Sequence, residues 1–254
     1  MQKSNEINSI DEVLAILEDI IIESEKRNSA MGYFAALYHK VTQKVKEGIE
    51  NNFFDDGPRM DKLDVIFAKR YLDAYYNWQN KKECTQSWKI TFDRATENWL
   101  IVLQHLLLGM NAHINLDLGI AAAQISGNTN IDHLKNDFNK INEILSSLVI
   151  EVENDLAKIW PLLKRILKWT KKADDFLIDF SMELARNGAW KFAKTISASS
   201  HKNAEALINA RDIKIAQKAT MVIKPGAIAG IIIRIIRFGE KGTVSRRIET
   251  LKRT

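Results

Sequence analysis

The sequence predicts an all-α fold, a multi-helix bundle packed around a buried central helix. Three observations predict it. Among 254 residues there are only 11 Gly and 3 Pro, too few turn-formers for a many-stranded sandwich or barrel. Apolar residues recur at spacings of three and four through most of the chain, which is the period of an amphipathic helix. The 37 consecutive residues from Asn98 to Leu134 hold no Lys, Arg or Glu and only two charges, Asp117 and Asp132, so this segment cannot be a solvated helix. With 46% apolar and 27% charged residues the chain has a globular balance, which excludes disorder over most of its length. No second domain boundary or internal repeat is visible, so residues 1–254 read as one domain.

In order along the chain, Ile10, Val13, Leu14, Leu17, Ile20 and Ile21 mark a first helix to about Lys26, with Asp11 and Glu12 suited to its positive end. Met31 to Ile49 repeats the pattern. Gly57 and Pro58 interrupt it, and helix resumes from about Met60 to Asn80. Ser87 is placed to cap a short helix ending near Glu97. The central helix, Trp99 to Gln124, carries Leu103, Leu106, Leu107, Met110, Ile114 and Leu118 on one face and is apolar nearly all round. It exceeds transmembrane length, but Gln104, His105, Asn111, His113, Asn115 and Asp117 interrupt it too often for a lipid-facing span. After a turn at Gly127, with Asn130 as cap, Ile131, Leu134, Phe138, Ile141, Leu145, Leu148 and Val152 form a heptad seam. The short connection makes the central helix its expected neighbour. Trp160 and Pro161 mark an end or kink, followed by helices at about Leu162–Ser197, His201–Val222, Ala227–Phe238 and Ser245–Arg253.

Charge is unevenly placed. Residues 186–254 hold 15 Lys and Arg against 4 Asp and Glu, a net +11, which leaves −6 for residues 1–185. The basic third either docks on the acidic remainder or contacts an anionic surface. The segment 225–254 includes Arg234 and Arg237 on an isoleucine-rich helix too short to span a bilayer, which reads first as a buried helix with two snorkelling arginines, and otherwise as a basic amphipathic helix that lies on an anionic membrane or covers another subunit. Exposed aromatics are not interleaved with its cations, so nucleic acid is disfavoured as a partner. The single cysteine, Cys84, excludes a disulfide framework, and the first residues lack the apolar run of a signal peptide, from which a cytoplasmic location is expected.

Polar groups inside a bundle need partners. His113 with Asp117, His133 with Asp137, and His201 with Glu205 each set an acid four residues after a histidine, on one helix face. The third pair, flanked by Lys202 and Asn203, reads as exposed. Asp117 and Asp137 lie equally far from Gly127, about 15 Å down two antiparallel helices if the connection is a tight hairpin. Two buried carboxylates at one height share a proton, recruit a cation, or pair with an arginine such as Arg70. A metal set of His113, Asp117, His133 and Asp137, holding zinc or magnesium, competes with a purely structural polar network. Around it, Asp64, Arg70, His105 and Asn111 are candidate catalytic residues. Asp64 shares a face with Met60, Phe67 and Tyr71, and the forked donors of Arg70 suit an anionic substrate or an internal carboxylate. The cluster Asp55, Asp56 and Asp61 is similar to the aspartate-rich segments of isoprenoid synthases, though its third member lies across Gly57-Pro58. Phosphate-loop, nucleophile-elbow and H-E-x-x-H signatures are missing.

The strings GYFAALYHKVT from Gly32, MDKLDVIFAKRYLDA from Met60 and LQHLLLGMNAHINLDLGIAAA from Leu103 resemble an uncharacterised bacterial domain-of-unknown-function family, a likeness that implies no activity. The His-x3-Asp pair also resembles, more weakly, the all-helical zinc-dependent phospholipase C and nuclease class, which implies a metal cluster. The expected activity is therefore metal-dependent hydrolysis of an anionic or ester-containing small molecule or lipid. Its alternative is a non-catalytic helical protein whose basic C-terminal third contacts a membrane or a protein partner.

Overall fold

The first helix begins where the dipole argument places it: Asp11 and Glu12 lie in its first turn, and the Ser9 hydroxyl accepts the Glu12 N–H at 3.3 Å. It belongs to a computed structural model that describes residues 7–97, 99–127, 129–160 and 182–252. In chain order the helices are α1 (Ile10–Arg27), α2 (Met31–Glu50), α3 (Gly57–Gln79), α4 (Gln86–Ala95), α5 (Val102–Ala112), a π-helical turn (His113–Asp117), α6 (Leu118–Ser126) and a 3₁₀ turn (Ile131–Leu134). They continue with α7 (Lys135–Ile159), α8 (Met182–Ser197), α9 (His201–Ile223), α10 (Ala227–Gly239) and α11 (Val244–Lys252). Among the described residues there is no strand. The all-α expectation holds.

The uncharged segment forms one rod, α5, π turn and α6, enclosed by α2, α3, α4, α8 and α9. Val102–Ser126 is long and apolar enough to cross a membrane, and 83% of its most apolar window is buried against the rest of the chain. Two glycines allow that enclosure. A β-carbon at Gly109 would stand 2.3 Å from the Phe34 ring of α2, and one at Gly119 would stand 2.9 Å from the Ala189 carbonyl of α8. A separate tie is buried, Lys40 of α2 to Asp155 of α7 at 2.7 Å.

Three local expectations are corrected. Gly57 and Pro58 open α3 instead of merely breaking the pattern: proline is tolerated in a first turn, and Asp56 caps the helix by accepting the Arg59 N–H at 3.0 Å. Ser87 does not cap α4. It is buried, and the Gln86 and Ser87 N–H groups donate to the Asp212 carboxylate of α9 at 2.7 and 3.0 Å, a cap supplied from 125 residues away. The heptad seam of α7 buries Leu134, Phe138, Leu145 and Leu148, but its main helical neighbours are α2 and α11. The place beside α6 is taken by α8, so the expected central hairpin does not form. Asn130 caps as expected, accepting the Asp132 N–H at 2.9 Å, although it starts the 3₁₀ turn. The expected end at Pro161 and the first part of the helix after it lie outside the described residues.

The basic third both docks and projects. Lys252 pairs with Glu18, Lys194 with Asp132 at 2.9 Å, and Ile248 and Leu251 bury against α1 and α2. In α10, Ile236 is buried while Ile231, Ile235 and Phe238 are exposed.

Candidate functional site: a buried acid–base cluster at the π turn

A π-helical turn inserts an extra residue into an otherwise regular helix and is often found at functional sites. Here it spans His113 to Asp117, with the Leu118 N–H reaching back to the His113 carbonyl, and all five of its residues are buried. The two side chains at its ends meet: His113 Nδ1 lies 3.1 Å from Asp117 Oδ2. Since the carboxylate only accepts, Nδ1 carries the proton and Nε2 keeps a lone pair. Two further donors reach the same fully buried carboxylate, Trp88 Nε1 to Oδ2 at 2.8 Å and Arg70 Nε to Oδ1 at 3.2 Å. One charge therefore joins α3, α4 and the π turn, and the Arg70 guanidinium balances it.

The imidazole of His113 is walled by aromatic rings. Phe67 stacks on it at 3.6 Å between centroids, and the Tyr38 ring meets it edge-on at 4.5 Å. Phe34, Tyr71 and Trp88 complete the wall. Phe67 is only partly buried, whereas Phe34, Tyr38, Tyr71 and Trp88 are buried. Burial lowers the His113 pKa despite the opposing pull of Asp117, which leaves the ring neutral at physiological pH.

Two buried polar atoms in this region have no hydrogen-bond partner among the described residues: His113 Nε2 and Asp64 Oδ2. Tyr38 links them. Its ring touches His113, Thr42 follows one turn later on the same helix face, and the Asp64 charge acts on its phenol. Burial, then the Asp64 charge, raises the Tyr38 pKa well above its ordinary value. Asp64 itself is pushed up to about 8, first by burial and then by Asp61, so its carboxyl is protonated at neutral pH. The cluster thus offers a protonated acid and a neutral base, each with an open polar atom, and the hydroxyls of Tyr38 and Thr42.

The predicted residues divide. His113, Asp117 and Arg70 come together, and Asp64 is buried within range of Tyr38 for its charge to act on the phenol. Asp137 is buried but serves elsewhere: it accepts the Asp55 and Asp56 N–H groups at 2.6 and 3.1 Å and Arg59 Nη2 at 2.9 Å, fixing the loop into α3. Arg59 and Arg70, the anchors of the two aspartates, are 11 residues apart on α3, about 16 Å along its axis. His133 is exposed on the 3₁₀ turn. The expected four-residue metal set is therefore not assembled, because α8 rather than α7 packs on α6. Among the described residues no group of three or more His, Cys, Asp or Glu side chains is placed to hold a metal ion. The open ligand atoms at the cluster are His113 Nε2 and Asp64 Oδ2.

His105 and Asn111 also do other work. The His105 ring packs on Tyr33 at 5.6 Å, lines a small apolar cavity with Phe34, Tyr71 and Trp88, and has its pKa lowered by burial to about 4. Asn111 Nδ2 donates to the Ile215 carbonyl of α9 at 3.0 Å, and its Oδ1 accepts from Asn115. Asp55 pairs with Lys140, Asp56 caps α3 and Asp61 accepts the Ile10 N–H, so the aspartate-rich segment is committed to structure. His201 with Glu205 is exposed, as expected. Sequence reasoning missed Tyr38, Thr42 and Trp88. In GYFAALYHKVT a tyrosine at helical spacing among aromatics carries no sign that its ring packs edge-on against His113.

Residues 10–225 match a family of unknown function, DUF5995. The chain belongs to that family. No curated protein and no solved structure matches it, and the likeness to zinc-dependent phospholipases gains no support. The DUF5995 match takes in every residue of the cluster and stops just before α10.

Proposed function

We propose that the chain is a hydrolase that works by general acid–base catalysis on a small ester-type substrate, with His113 as base and Asp64 as acid. One observation carries the reading. His113 is held through Nδ1 by a charge-balanced carboxylate while its buried Nε2 has no partner, and the buried Asp64, whose charge acts on the Tyr38 that packs on His113, also keeps an open oxygen. Environments that push two titratable groups in opposite directions define an acid and a base: here burial keeps the carboxyl protonated and the imidazole neutral at the same pH.

Nε2 accepts a proton from water as the water oxygen attacks the ester carbon, and Asp64 gives its proton to the leaving oxygen. The hydroxyls of Tyr38 and Thr42 hold the substrate by hydrogen bonds. Asp117 is a positioning residue, fixing the tautomer and orientation of His113, and Arg70 pairs with its other oxygen. In this reading the Phe67 ring swings aside for access, since it stacks on the imidazole and is only partly buried.

The same two open atoms, with Asp117 behind His113, are those a zinc or magnesium ion would use, which makes the metal-dependent form a variant of this reading. The experiment is hydrolysis of a panel of small carboxylic and phosphoric esters by purified protein, with and without added zinc, across pH. The expected profile is a bell whose alkaline limb falls near pH 8, lost in both His113→Gln and Asp64→Asn. Turnover unchanged in both variants overturns the assignment. Stimulation by stoichiometric zinc selects the metal-dependent form.

A further inference from the structure

The helix α10 is apolar on two sides. One side docks: Ile236 is 5% exposed, and Ile232 and Ile233 pack against the main core. On the other side Ile231, Ile235 and Phe238 are 58, 50 and 90% exposed. Their spacings of four and three put them in one stripe, and Arg234 lies in the same stripe. Large apolar side chains in a contiguous exposed row mark a contact surface, whereas scattered ones need no explanation.

Charge around the stripe is one-sided. From Lys224 to Arg247 there are six Lys and Arg and a single acid, Glu240. That acid is turned inward, its carboxylate accepting the Val102 N–H at 2.8 Å and pairing with Arg247 at 3.1 Å. Lys224, Arg234, Lys241 and Arg246 are exposed, and none of the four has an ion-pair partner among the described residues.

We infer that α10 is a docking surface for an anionic phospholipid bilayer, lying in the interface with Ile231, Ile235 and Phe238 in the acyl boundary and the four cations among the headgroups. A 13-residue helix is about 20 Å long, which suits lying in the interface and is too short to span it. The chemistry separates this occupant from the others. Nucleic acid phosphates would engage the cations but offer nothing to two isoleucines. A second copy across a two-fold axis would bury the isoleucines but bring Arg234 against its own mate. Only an anionic bilayer uses both halves of the surface. The inference does not depend on the acid–base cluster, which lies in a different part of the chain.

The test is co-sedimentation of the full chain with phosphatidylcholine vesicles that contain or lack phosphatidylserine, at low and high salt. Binding is expected to the phosphatidylserine vesicles at low salt, to weaken with salt, and to fall by about tenfold or more in the double variant Ile235→Ser, Phe238→Ser. Arg234→Glu is expected to weaken binding to the phosphatidylserine vesicles while leaving the residual affinity for phosphatidylcholine alone. These positions are exposed, so the variants fold, as an unchanged circular dichroism melt verifies. No binding to phosphatidylserine vesicles, or equal binding by the double variant, overturns the proposal. So does a dimer in sedimentation velocity that the double variant dissociates, which assigns the surface to self-association.

Discussion

Trp88 donates its indole N–H to the same Asp117 oxygen that faces His113, at 2.8 Å and 3.1 Å. A carboxylate shared by an indole, an imidazole and a guanidinium, with no exposure to water, has its charge met wholly by protein. It belongs at once to the fold, because it joins three helices, and to the candidate chemistry, because it fixes which nitrogen of His113 is free.

Asp117→Asn is therefore expected to cost about 3 kcal/mol, since it leaves Arg70 without its counter-charge and turns one amide donor toward existing donors. Trp88→Phe removes one neutral donor and keeps the ring, so it should cost about 1 kcal/mol. Urea denaturation of both variants checks the ranking, and equal losses would place the carboxylate outside the network described.

The raised pKa of Asp64 makes a signed prediction. A carboxyl held at about 8 when folded, against 3.8 when unfolded, favours folding fully below the lower value and loses that contribution as pH rises through the higher one. Relative to Asp64→Asn, the parent chain should lose up to about 1.4 kcal/mol per pH unit between those limits. Paired melts across this window measure the difference directly, with the acid lability of other carboxylates cancelling. A constant difference would show that Asp64 titrates normally.

His105 runs the other way. Burial lowers its pKa from 6.5 to about 4, so its contribution is complete above 6.5 and is lost as pH falls toward 4. His105→Gln should remove an acid-induced destabilisation of roughly 3 kcal/mol across that window. Parallel stability curves for the two proteins in mild acid would contradict it.

Asp137 and His133 provide a contrast between neighbours. Asp137→Ala frees two backbone donors and Arg59, and should cost about 3 kcal/mol with loosening of the loop into α3, read by hydrogen exchange at Asp55 and Asp56. His133→Ala, at an exposed site, should stay within about 0.5 kcal/mol. Comparable losses would revive a joint role for the pair.

Gly109→Ala should destabilise by about 2 kcal/mol, because the new methyl would stand 2.3 Å from the Phe34 ring and force that ring out of its place in the wall around His113. Thermal melts test it, and a neutral result would mean that α2 can retreat from the rod without cost.

Much of the architecture was legible before any coordinates. The 3.6 period marked α1, α2, α9 and α10 to within a few residues, because each buries one continuous stripe against its neighbours, and the uncharged run marked the rod at the centre. The π turn was not legible, since its residues have the same apolar and polar spacing as the α-helix around it. Asp212 as the cap of α4 was invisible for a related reason: a cap normally lies within a few residues, and this one arrives from α9.

By itself the sequence determined that His113 and Asp117 share a face inside the bundle and that Arg70 needs an acid. A spacing of four on a helix fixes the first, and the cost of an unpaired buried charge fixes the second. Only the tertiary structure decided which acid Arg70 takes, that Asp137 is spent on a loop, and that His113 and Asp64 are left with open polar atoms. Those outcomes turn on which helix packs against α6, and several helices present apolar seams of similar quality, so periodicity alone could not choose among them.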